Sequence, residues 1–392
     1  MHDISINPVP ATGTDSLPGI LAERAKDVLL RKLETHLAQP DDPYRDQMAL
    51  ARESVERLPD ADLARAVSHP LFKKWSVSDH TATDIHPLDL NRILLATLIE
   101  DDAVPEHGMV IPLTEGDLRG PGLRHRRVAA TPDEPFTAIR IHGNEALLDA
   151  GPNHHDIRSS ELLHHGLRPL QDADLVLDAG DPVIRRFLAR MNAVPGAGTN
   201  ARRDLKPVTQ PNPALVDAYR TVLNLLRECW PEAADELLRY VRVIVPFESE
   251  LLLGWATPLF QGAVFVRAAP DDLLFTFERL VHEAAHLRLF AIQHTGKLHN
   301  DPPDKRLVSV ARPDPRPVIG VYHASFVYAR LCEAFARAID HGADERWSAR
   351  LDTLLMRFRS LSRTLHEGAT LTPLGERILA ELDARTEAIF IR

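Results

Sequence analysis

Cysteine is almost missing: Cys229 and Cys332 are the only two in 392 residues. Two thiols build neither a disulfide framework nor a cysteine-rich zinc site, so a reducing compartment is the simpler expectation. Long apolar runs are missing too. The longest stretch without a charged residue, Leu251 to Val266, covers 16 positions and is broken by Gly254, Pro258 and Gly262. That is too short for a membrane helix. Met1 to Pro18 has neither a basic segment nor an apolar core, so no targeting signal is expected there. Positive charge is in deficit, 46 Lys and Arg against 56 Asp and Glu, a net of −10. An acidic chain is a poor general partner for nucleic acid or an anionic membrane. The expectation is a cytoplasmic protein with neither as a partner.

What is present is ordinary globular material with one excess. Apolar residues at 44% and charged ones at 26% exclude wholesale disorder. Histidine, with 19 copies, is the unusual count. Helical apolar spacing runs over 18–38, 44–57 and 87–100, and again over 182–193. Between 103 and 150 short alternating runs, such as Phe136 to Ile141, predict strands or hairpins. The Gly-, Pro- and Asn-rich stretch 194–213 is the best linker candidate. It divides a helix-rich region, 1–205, which would supply a substrate groove, from a second unit, 206–392. There the spacing predicts a helix from Pro213 to Arg239 and strands at 240–246 and 262–267. A helix from about 270 to 293 follows, then one from about Pro317 to just before Gly342, then a helical tail. The expected fold is α+β and mostly helical.

The sharpest feature is His282-Glu283-Ala284-Ala285-His286, placed inside a predicted helix beside a small sheet. Residues four apart on an α-helix differ by about 40° in direction, so both imidazoles can share one ion. Neutral imidazole suits Zn, Fe, Ni and Cu alike, so the pair does not name the metal. The bland alternative is two histidines that merely share a helix face.

The third ligand decides the chemistry. One peptidase subclass would need Gly at 289 and His at 292, but the chain has Leu289 and Ile292. Two candidates stand on the next helix, His323 and Glu333. Ten residues are about 15 Å of helix rise, so both cannot bind one ion. Arg330 and Arg337 flank Glu333 at the spacing of a solvated ion-pair ladder, which explains it without a metal. His323 has no such partner at helical spacing, and its own bland alternative is a hydrogen-bonded core histidine. A further cluster, His154, His155, His164 and His165, reads as solvated residues of a polar loop.

Five short strings carry a resemblance: GAVFV at 262–266, LVHEAAHLRL at 280–289, DPRP at 314–317, GVYHASF at 320–326 and LTPLGERIL at 371–379. In this order the chain from about 240 to 375 resembles the HExxH-motif peptide-modification family, which includes 2-oxoglutarate-dependent β-hydroxylases. The first half matches only loosely, through SHPLFKKW at 68–75. The resemblance implies Fe(II), 2-oxoglutarate and O2. It implies hydroxylation of an amino-acid side chain in a ribosomally made peptide, with a radical-SAM enzyme as a candidate partner. His282, His286 and His323 would hold the iron, leaving positions for a 2-oxo acid and O2. Arg316, or Arg312 four residues earlier, would clamp the remote carboxylate. Glu283 would orient a ligand or water. Two other readings stay open. One is a zinc peptidase with Glu333 as third ligand and Glu283 as general base. The other is a peptide-binding module with a structural metal, which would need a fourth protein ligand.

Overall fold

The computed structural model describes residues 17–77, 87, 89–100, 104, short strands between 109 and 158, 175–193, 204–309 and 312–391. Five helices open it: α1 (Leu17–Leu37), α2 (Arg45–Arg57), α3 (Asp60–Val67), α4 (Pro70–Val77) and α5 (Asp89–Glu100). The apolar spacing locates α1, α2 and α5. It misses α3 and α4, each of eight residues and each set off by a proline, Pro59 and Pro70. A segment of two turns is too short for a periodicity to register.

The alternating stretch forms an antiparallel meander of Met109–Pro112, Ala138–His142, Glu145–Ala150 and Asn153–Arg158, in that spatial order. Ile139 and Ile141 are buried with exposed Arg140 between them, the period of two that a half-buried strand requires. His154 and His155 lie on the last of these strands rather than in the expected loop. His164 and His165 lie outside the described residues, as does 194–203 of the linker. Between them stands α6 (Pro182–Ala193).

The helix expected over 213–239 is two helices, α7 (Pro213–Cys229) and α8 (Pro231–Tyr240). Pro231 cannot continue an α-helical hydrogen-bond ladder, and Trp230 before it takes an extended φ of −151°. The chain turns there.

A mixed five-stranded sheet forms the centre. Val243–Glu248 pairs in parallel with Ala263–Arg267 and with Val176–Leu177, the latter from before residue 205. Lys206–Pro207 pairs antiparallel with Val243–Glu248, and Gly254–Ala256 closes the other side antiparallel to Ala263–Arg267. Alternate residues of the central strands serve two cores. Val243, Val245, Phe247, Ala263 and Phe265 pack with the first-half helices. Ile244, Val264 and Val266 pack with the second-half helices. Burial on both faces is why GAVFV reads as an unbroken apolar run.

Against that second face lies α9 (Leu273–Gln293); α10 (Val318–Asp340) packs on α9, and α11 (Glu345–Gly368) and α12 (Pro373–Phe390) pack on α10. Asp272 caps α9 by accepting from the Phe275 N–H at 3.0 Å. Arg312–Pro317 is a strand paired with Arg306–Ser309, and it delivers the chain directly into α10. The Gly342 φ of +101° ends α10 where the sequence predicts. No helix among the described residues is long and apolar enough to cross a membrane.

Candidate metal centre

α9 carries both histidines of the motif on one stripe. Their ring centroids are 5.0 Å apart, and ligand atoms of His282, Glu283 and His286 all fall within 4.8 Å of one another. Among the described residues no other group of three His, Cys, Asp or Glu side chains comes together this way. His282 keeps about a fifth of its side-chain surface, whereas Glu283 is buried. One Glu283 oxygen lies 4.0 Å from His282 Nε2, and the other is buried with no hydrogen-bond partner among the described residues. Burial pushes this carboxyl up to about 8, with the Arg279 charge pulling the other way.

The room for Glu283 is made by an absent side chain. A Cβ on Gly254 would stand 2.8 Å from Glu283 Oε1 and 2.9 Å from the Phe265 carbonyl oxygen. Glycine is needed here for close approach, because α9 presses its carboxylate onto the edge strand.

α10 brings a third imidazole against His286. His323 Nδ1 lies 3.1 Å from His286 Nδ1, and the two rings are nearly parallel with centroids 5.4 Å apart. Phe290 touches both rings. His286 is thus the common neighbour of His282 and His323. Burial holds His286 well below the usual histidine range, helped by the charges of His323 and Arg279, and burial alone does the same to His323. Both rings are neutral near pH 7, the state in which imidazole binds metal.

Gln293 completes the arrangement, and the sequence reading missed it. Its Oε1 accepts from His323 Nε2–H at 3.0 Å, which leaves the Nδ1 lone pair of His323 aimed at His286. Two imidazole nitrogens facing each other at that distance must share a proton or a cation. A divalent ion with metal–nitrogen bonds of about 2.1 Å would see a 3.1 Å pair at roughly 95°. The His286–His323 pair therefore has the spacing of two nitrogen ligands on one borderline divalent ion. The signal for Gln293 was available: it lies seven residues after His286, within about 40° of the histidine stripe.

Glu333 goes elsewhere. It bonds Arg337 on its own helix at 3.1 Å and Arg385 of α12, beside a separate cavity of about 400 Å³. Its expected partner Arg330 instead turns inward to Glu236 of α8 and covers the Trp230 ring. The solvated ladder is half a ladder, and its carboxylate is largely covered. Glu333 is engaged by these two arginines rather than by the histidines of α9. Arg316 is half-buried, opposite Leu307, two residues before α10 begins. Arg312 stands opposite Ser309, farther along the same strand, with its side chain outside the described residues. Compared with models of known protein families and with curated proteins, the chain matches none.

Proposed function

We propose that this protein is an Fe(II)- and 2-oxoglutarate-dependent oxygenase that hydroxylates an amino-acid side chain, at the β-carbon of a residue within a ribosomally made peptide. The observation that carries the reading is the third imidazole: His323 lies against His286 of the motif, while Glu333 is held by two arginines at another cavity. Iron with its 2-oxo acid would supply the oxidising chemistry with O2.

The protein's own residues have defined tasks. His282, His286 and His323 would hold the ion, leaving positions open on one side. Gln293 fixes the tautomer of His323, and Phe290 packs the two rings together. Glu283, buried beneath the pair, would orient a bound water or ligand by hydrogen bonding. Arg316, placed just ahead of α10, would take the distal carboxylate of the 2-oxo acid as a bidentate pair. The supporting assay is succinate release in air with Fe(II) and 2-oxoglutarate, read together with a mass gain of one oxygen on a candidate peptide. Turnover should be lost in His323→Ala and kept in Glu333→Gln.

One observation favours a second reading, a zinc hydrolase. Glu283 lies buried beside His282 and the edge strand, and in that reading it would serve as general base to a metal-bound water. That reading requires His323 as third ligand in place of Glu333. Zinc-dependent peptide cleavage indifferent to 2-oxoglutarate would select it.

A further inference from the structure

A cavity of about 430 Å³ opens where α1 and α4 meet the carboxyl end of α9. Its His294 lies eight residues beyond His286, about 12 Å along the helix, so the cavity is separate from the histidine cluster. The volume is that of a small-molecule site. Five cationic side chains line it from different elements: Arg24 and Arg31 of α1, Lys73 of α4, Arg239 of α8, and Arg242 ahead of the central strand. Asp27 is the single acid among the lining residues.

Three further observations point to an anion as the ligand. Arg31 and Lys73 make no ion pair among the described residues, although Lys73 is half-buried and burial holds its ammonium below the usual range. Arg24 donates only to a neutral acceptor, the His294 carbonyl, at 2.7 Å. His294 is held below the usual histidine range by burial and then by the charges of Lys73 and Arg24. Arg24, Arg31 and Lys73 thus line the cavity with no carboxylate paired to them among the described residues. Around the cations, Leu21, Val28 and Val67 give apolar wall.

We propose that this cavity binds a phosphorylated small molecule of nucleotide size, its phosphate held by Arg24, Arg31 and Lys73 and its organic body laid against Val28 and Val67. A phosphate monoester places about −1.5 to −2 charges on one head group, which several converging cations can share. Guanidinium forks and a lysine point charge are the side chains suited to that group. A dicarboxylate spreads the same charge over two ends. The site is independent of the metal reading and needs neither iron nor a peptide.

The test is calorimetry and thermal denaturation of the full chain with AMP, ATP, inorganic phosphate and glutarate, all at matched ionic strength. AMP or ATP should bind saturably and raise the Tm, more tightly than phosphate or glutarate. Arg31→Gln and Lys73→Gln should each weaken nucleotide binding about tenfold or more, the loss expected of one charge-assisted contact. Lys73→Arg, which keeps the charge, should retain binding, and this guards against a variant that misfolds. Absence of saturable binding overturns the proposal, as does binding unchanged in both Gln variants. Glutarate binding as tightly as AMP, or phosphate binding with no gain from the organic body, overturns it as well.

Discussion

The Gln293 carboxamide oxygen lies 3.0 Å from His323 Nε2, and that contact between two helices decides which nitrogen of His323 is left to bind anything else. A histidine ligand is a defined donor only when its second nitrogen is engaged. Gln293→Leu should therefore weaken metal binding about 10–100-fold, the usual effect of removing such a partner. Titration of the metal-free chain with Fe(II) or Zn(II), with folding checked by circular dichroism, measures this. Unchanged affinity would show that His323 is oriented by other contacts.

His282→Ala, His286→Ala and His323→Ala should each lose tight binding of one divalent ion per chain, with the helical fold kept. Glu333→Gln should bind metal normally yet unfold earlier, because Arg337 and Arg385 lose a charged acceptor. Hydrogen bonds to charged groups contribute about 1.5–3 kcal/mol. Metal content by elemental analysis and Tm by calorimetry separate the two effects. A Glu333 variant that fails to bind metal would restore it as a ligand candidate.

Gly254→Ala should injure the site from the sheet side. The new methyl would meet both Glu283 and the Phe265 backbone, so the carboxylate must move or α9 must lift. Overpacking of this kind costs about 1–3 kcal/mol. The expected result is a lower Tm and a loss of turnover, with the three histidines still binding metal. Full activity would mean that Glu283 has no role at the reaction centre.

Acid stability should depend on Glu278. This buried carboxylate bonds Arg350 through two contacts of 2.6 Å and also pairs with Arg279. Burial pushes its carboxyl up, but the hydrogen bonds and charge of the two arginines outweigh that and hold it below the usual range. A depressed carboxyl contributes stability that is complete above its unfolded value and is lost as pH falls through the folded one. Glu278→Gln should thus flatten the acid limb of the stability profile. It should also cost about 3–5 kcal/mol near neutrality, since two arginines are left uncompensated. Denaturant unfolding across acidic to neutral pH reads both.

The motif was legible because its geometry is local. Two histidines and a glutamate within five residues need only a helix to converge, and the helix announces itself by its cap and its spacing. His323 was legible as one of two candidates, since its neighbour's charge pattern drew Glu333 away. What could not be read was long-range pairing. Arg330 follows the i, i+3 rule toward Glu333, yet it turns to Glu236, 94 positions away in sequence. Gln293 is not legible because a glutamine at a helix end looks like surface. The break at Trp230–Pro231 was overlooked because apolar spacing continues across it, although proline marked it.

The central sheet, finally, is a shared wall rather than the floor of one compartment. Val243, Val245, Phe247, Ala263 and Phe265 belong to the first-half core, while the residues between them belong to the other. A chain cut near residue 205 would carry that row of side chains into water, an exposed apolar strip of the kind that drives self-association. The two halves therefore share one wall of core side chains. Damage to the first-half helices would reach the histidine cluster through the strands beneath α9, without touching any of its side chains.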